Sequence, residues 1–364
     1  MGLATSPWFL ALAGFCAGFV LGYAARANRF CTMSALERHW YAGDSRGLRT
    51  WVLAAAVALV ATQTMQAFGL IDIGESFYIR SDFAWVGAIA GGIAFGFGMA
   101  LVGTCGFGAL VRLGGGSLRS LIVLIVLGLA AMSAQKGLVA QARVALSDNL
   151  AIDLSERGGQ SLGAILSSIV GMDVSIIVAG AVALALFGWV FANARYRREV
   201  GSIATGSTVG LVIAFGWWAT SYAAANSFDV VQIEAGSFVV PVADTILQII
   251  TFTGVLPDYG VGLVLGVVAG AAARAWRQRD VRWEACDDAR ELSRHIAGGV
   301  LMGIGGVFAM GCTIGQGVTA VSALAISAPV VMLSIFLGAR MGLAYLIEGS
   351  PFGAFRSPSR QPAE

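Results

Sequence analysis

The sequence predicts an all-α polytopic membrane protein, an inverted repeat with about nine transmembrane helices and four short re-entrant half-helices. Three observations predict it. The first is composition: of 364 residues, 57% are hydrophobic and only 12% charged, against about 25% charged in an ordinary soluble domain. A chain this apolar needs lipid as its solvent. The second is a duplicated string. Gly91–Gly108 reads GGIAFGFGMALVGTCGFG, and Gly298–Gly317 reads GGVLMGIGGVFAMGCTIGQG. Gly91, Gly92, Gly96, Gly98, Cys105 and Gly108 fall on Gly298, Gly299, Gly303, Gly305, Cys312 and Gly315 at a constant offset of 207, without a gap. The third is length. Some apolar runs reach the roughly 20 residues that a helix needs to cross a bilayer, and others stop well short of it.

Taken in order, the first span is 8–25, closed by Arg26 and Arg29. No basic residue precedes it and no cleavage site is clear, so it reads as a retained span and not a signal peptide. The piece 30–41 holds Cys31, Arg38 and His39 and is too short to cross, so it reads as a half-helix. Arg46 and Arg49 lead into a span at 50–70. The loop 71–82 is acidic, and a span at 83–104 ends at Cys105. Segment 106–116 is short, glycine-rich and bears Arg112. Arg119 opens a span at 120–142; 147–159 is polar, with Asp148, Asp153 and Glu156; 162–191 holds another span, closed by Arg195, Arg197 and Arg198. The second half repeats the order. Spans are expected at 202–220, 260–275, 296–311 and 329–347, a short piece at 238–252 broken by Pro241, and a charged loop at 274–294. The tail from Ser350 is polar. The organisation is therefore residues 1–198, a first repeat plus a linking helix; 199–349, a second, inverted repeat; and 350–364, a polar cytoplasmic tail.

The loops richest in arginine belong in the cytoplasm. Counting from 195–198 and 274–294 puts the other basic loops inside and the acidic loops at 71–82 and 147–159 outside. The N-terminus is then outside and the C-terminus cytoplasmic. The two halves start on opposite sides, which is the inverted arrangement of transporters that bind near the midplane at broken helices.

The breaks carry the chemistry. A helix that stops inside the membrane leaves unpaired backbone groups, which must face protein or a wet cavity. A short helix that starts there points its amides, with a partial positive charge, into that cavity. Cys31, Cys105 and Cys312 each stand at the start of such a helix. Three thiols near three helix N-termini suit a small anion with a soft sulfur atom, because S–H is a weak donor and sulfur is polarizable. Laying Gly18 on Gly206 and Gly22 on Gly210 puts Cys31 on Ala219, so a fourth break, without cysteine, is expected near Trp217-Trp218-Ala219. Gln316, one turn past Cys312, either binds substrate or caps a neighbouring helix. Arg29, Arg112 and Lys136, the only lysine, form a candidate anion funnel or mark the membrane surfaces. Cys16 reads as a small packing residue and Cys286 as a loop residue. No spacing joins His39 or His295 to a metal site, no cofactor motif is present, and the scattered arginines form no nucleic-acid stripe.

Arg29-Phe30-Cys31, Gly103-Thr104-Cys105-Gly106-Phe107-Gly108 and Gly311-Cys312-Thr313-Ile314-Gly315-Gln316-Gly317 resemble the YeeE/YedE family of bacterial sulfur-compound transporters, over nearly the whole chain. The resemblance implies nine crossing and four short helices in the bacterial inner membrane. It implies uptake of thiosulfate or a related small sulfur anion, relayed by hydrogen bonds from Cys31, Cys105 and Cys312. It also suggests a separate soluble sulfur carrier at the cytoplasmic mouth. The competing reading is a membrane sulfurtransferase whose thiolate attacks the sulfane sulfur and becomes a persulfide. A soft-metal transporter is weaker, since the ten methionines form no clustered motif.

Overall fold

The computed structural model describes residues 8–155, 158–227, 230–252, 257–286 and 288–351. Glu156 and the polar tail beyond residue 351 lie outside them. The described residues are predominantly helical: α1 Phe9–Ala27, α2 Thr32–Ala42, α3 Arg46–Ala67, α4 Trp85–Val102, α5 Gly106–Gly114, α6 Leu118–Lys136, α7 Leu138–Leu146, α8 Leu162–Val170, α9 Ser175–Phe191, α10 Val200–Asn226, α11 Val240–Ile250, α12 Tyr259–Gln278, α13 Ala289–Phe308 and α14 Ser327–Glu348. A further short helix, 313–322, is π-helical over Gly315–Ala320. Seven helical stretches, those carrying α1, α3, α4, α6, α10, α12 and α14, are long and apolar enough to cross a membrane. The chain is a multi-pass membrane protein. The 17-residue α9 is shorter, and the 20-residue α13 opens on charged residues.

Glycine stripes decide which helices touch. In lipid, burial of apolar surface does not drive helices together, so close backbone approach and dispersion do the work. Gly14, Gly18 and Gly22 of α1 lie on the carbonyls of Tyr259, Leu263 and Val267 in α12. Gly262, Gly266 and Gly270 of α12 lie in turn on the carbonyls of Ala11, Phe15 and Phe19 in α1. Gly206 and Gly210 of α10 approach Thr50 and Ala54 of α3. The duplicated string makes the centre. Gly91 and Gly98 of α4 face Gly305 and Gly298 of α13, carbonyl against glycine in both directions. Gly92 and Gly96 seat α4 on α14, as Gly299 and Gly303 seat α13 on α6. Exchanging α1, α3, α4 and α6 for α10, α12, α13 and α14 maps each of these contacts onto another of them.

The connections sort by charge. Asp82 and Phe83 pair antiparallel with Asp153 and Ile152, which joins the two acidic connections. At the other ends of the helices, Ser117 pairs with Glu284, and Arg119 bridges Glu284 and Glu291 at 2.8 and 2.7 Å.

Several expected boundaries move. The run 120–142 is two helices, because the chain turns at Gly137 and Lys136 becomes the last residue of α6. The run 162–191 also divides, at left-handed Gly171, into α8 and α9. Much of the charged loop 274–294 is helical, as the end of α12 and the first turns of α13. Helix α10 passes unbroken through Trp217, Trp218 and Ala219. The fourth break falls later, at Phe238-Val239 before α11, where Pro241 sits in the first turn and lacks only an amide that no carbonyl would have met.

Candidate functional site

Each of the three cysteines stands at the head of a short helix. Cys31 caps α2 and Cys105 caps α5, both in extended conformation, and Cys312 immediately precedes helix 313–322. The preceding backbone follows one plan. Two residues before each cysteine the chain is left-handed: Arg29 at φ 51°, Gly103 at φ 75° and Met310 at φ 54°. That residue ends the long helix and redirects the chain so that a new helix starts from the cysteine. Glycine adopts this conformation freely, whereas arginine and methionine pay about 1 kcal/mol or more for it.

The breaks meet in the core. Cys105 and Cys312 are 1% and 0% exposed. Cys31 packs against the same apolar cluster. Its sulfur lies 3.9 Å from the Thr104 hydroxyl. The Cys105 thiol interacts with the Thr313 side chain and the Gly108 amide, with Cys31 and Cys312 close enough to act on it electrostatically. Thr32 donates to Thr313 at 3.4 Å and accepts from the Trp51 indole at 3.0 Å, which ties the head of α2 to the head of helix 313–322. The Cys312 sulfur accepts from the Gly315 amide at 3.4 Å, and the amides of Ile314 and Phe238 lie near it. The cysteine-free fourth break thus contributes a backbone donor to the Cys312 site. Phe107 packs between Phe30 and Phe238, with ring centroids 6.5 and 4.8 Å away, and forms an aromatic wall beside the thiols.

Two cavities approach this core from opposite ends of the helices. One, of about 870 Å³, reaches Cys31 and Thr104 and is lined by Arg29, Arg38, Arg112 and Arg294. The other, of about 960 Å³, reaches Ser237 and Gly311 beside Cys312; Lys136, Arg143, Glu234, Asp244 and Asp258 line it. Cys105 and Cys312 lie between them and border neither. The candidate funnel residues are therefore divided: Arg29 and Arg112 at one mouth, Lys136 at the other. Arg112 also donates to the Gly103 carbonyl at 2.9 Å and so closes the end of α4. Gln316 is fully buried, and its amide nitrogen donates to the carbonyls of Ala309 and Met310 at 2.9 and 3.1 Å. It holds the end of α13 at the break. Cys16 is exposed on α1 and far in sequence from any break.

The profile of a sulphur-transport family, that of the YeeE/YedE proteins, matches residues 27–341. The chain belongs to this family. Among curated relatives, the thiosulfate transporter TsuA of Escherichia coli (strain K12) is 26% identical over 327 residues, covering 84% of this chain and 86% of the relative. The thiosulfate transporter TsuA of Spirochaeta thermophila is 26% identical over 337 residues, covering 89% and 96%. In this sulphur-transport protein, motif reading reached the three cysteines but missed their hydroxyl neighbours. Thr104 and Thr313 adjoin cysteines in sequence and were open to notice. Tyr78, Ser237 and Trp51 carry no local signal and come to the site only through the fold.

Proposed function

We propose that this protein takes up thiosulfate, or a related small sulfur-containing anion, into the cytoplasm across a bacterial inner membrane. The observation that carries the reading is the convergence of three thiols, each at the head of a short helix, in a buried core between two cavities. The anion passes from the Lys136 cavity to Cys312, then Cys105, then Cys31, and leaves through the arginine-lined cavity. Each protonated thiol donates one hydrogen bond, and the helix heads offset charge without binding it tightly. The threonines beside the thiols bridge the intervals. The paired helix contacts support an inverted repeat, 1–198 against 199–349, with α9 and α13 completing nine crossings. The charge-sorted connections support a cytoplasmic arginine cavity, with the N-terminus outside and the C-terminus inside. A soluble sulfur carrier could collect the product there. Gln316 serves the path by shaping the Cys312 break.

The test is uptake of isotopically labelled thiosulfate by cells that lack their own uptake route. Cys312→Ala and Cys105→Ala should abolish uptake while the purified variants remain monodisperse. Normal uptake by either variant sinks the relay. Protein incubated with thiosulfate should keep unmodified cysteines by mass spectrometry; a persulfide on Cys105 or Cys312 would establish the sulfurtransferase instead.

A further inference from the structure

The connection between α3 and α4 does not stay on the surface as an acidic loop should. Ile71, Ile73, Ser76, Tyr78 and Ile79 are all buried, with Tyr78 only 2% exposed. The Tyr78 ring stands edge-on to Trp217 of α10 at 6.4 Å and against Phe77 at 4.0 Å. Among the described residues its hydroxyl makes no well-formed hydrogen bond, and the polar group set to meet it is the Ser237 hydroxyl. A buried phenol usually finds a partner, and leaving one unmet is costly. The hydroxyl is aimed at the Cys312 break. A methyl group built on Gly315 would lie 2.7 Å from it and 3.1 Å from the Ser237 hydroxyl, and one on Gly311 would lie 3.4 Å from it. The two hydroxyls thus pack directly on the bare Cα of Gly315, where no side chain fits, beside the amides around Cys312. Phe77, on the other side of the loop, lines the Lys136 cavity together with Ser237 and Gly311. The loop is the partition between that cavity and the first thiol.

We propose that the 71–82 loop is the outer gate of the path and that the Tyr78 hydroxyl is a substrate contact, the donor that receives the anion as it reaches Cys312. The inference rests on the reading that an anion passes Cys312 from this side. With the loop seated, the hydroxyl has only the Ser237 hydroxyl beside it; an oxyanion that reaches Cys312 displaces the loop and takes both hydroxyls as donors. Substrate binding and gate position are then coupled, because the group that gains the bond belongs to the gate.

Two variants separate the two parts. Tyr78→Phe keeps the ring on Trp217 and removes the donor. It should raise the KM for thiosulfate about ten-fold or more, the size of one hydrogen bond to a charged acceptor. Tyr78→Ala removes the partition. In vesicles whose periplasmic side faces out, it should speed modification of Cys312 by an impermeant, anionic methanethiosulfonate, read by mass spectrometry at that residue. If Tyr78→Ala does not assemble, Phe77→Ala takes its place in the labelling. Unchanged KM in Tyr78→Phe overturns the substrate contact, and unchanged labelling of Cys312 overturns the gate. Labelling needs no turnover. If the wild type failed to carry thiosulfate, the uptake reading would fall while the gate could still be scored.

Discussion

At the residue scale, the proposed passage of an anion turns on what a thiol can donate. The three cysteines sit where backbone amides are concentrated, and Cys312 gathers several of them around one sulfur. A serine there keeps a donor but reaches less far and lacks a soft atom. Cys312→Ser should therefore retain measurable thiosulfate uptake where Cys312→Ala has none. Equal loss in both variants would argue that sulfur nucleophilicity, not donation, is what the site needs. Gly315 is a second point of leverage. Gly315→Ala sets a methyl against the Tyr78 and Ser237 hydroxyls and must displace them, and its uptake should fall at least ten-fold while the protein still assembles, as checked by labelled uptake beside size-exclusion profiles.

At the element scale, the breaks depend on how long helices are stopped. Gln316 is the clearest case, since its one amide nitrogen serves two carbonyls at the end of α13. Gln316→Leu leaves both acceptors buried without a donor, at a cost of about 1–3 kcal/mol for each unmet group. Thermal unfolding in detergent should show that loss directly, and a midpoint equal to wild type would mean that water or another donor replaces the amide. The glycine stripes are the other element-scale device. Gly96 lies on the Ile335 carbonyl of α14, and Gly303 repeats the contact against Leu127 of α6. Gly96→Leu forces α4 off α14, with overpacking worth about 1–3 kcal/mol or more. It should lower the unfolding midpoint far more than the same change at Gly180, where an added Cβ meets nothing within 4 Å.

At the scale of the whole molecule, the consequence is sidedness. Acidic connections share one end of the helices and arginine-bearing connections the other. A cysteine placed at Glu75 should react with an impermeant thiol reagent from the periplasm, and one at Arg195 only after the membrane is permeabilised. The reverse pattern would invert the orientation and with it the direction of the path. The pairing of helices across the two halves has a further physical meaning. Helix α13 borders both cavities, through Glu291, Arg294 and His295 at one and Gly306 and Val307 at the other. A small tilt of one half against the other would then change access at both ends together.

Composition and run length were enough to establish a helical membrane protein, and the 207-residue offset located the paired α4 and α13 strings and two of the three thiols. These are legible because lipid imposes length and hydropathy on each span separately, and because duplication preserves spacing. The split at Gly137 and the unbroken α10 were not legible, although the short helix within 238–252 was. A helix in this environment continues or stops according to which neighbour meets its backbone groups, and the repeat pattern at 217–219 holds no record of that neighbour. The left-handed turn before each cysteine shows the same division. It could be read at Gly103, whose residue type favours it, but not at Arg29 or Met310, where packing alone enforces it. Tyr78 is the extreme case. Its loop is acidic and outwardly ordinary in sequence, and only the close approach of α10 and the 313–322 helix brings its hydroxyl beside the Cys312 break.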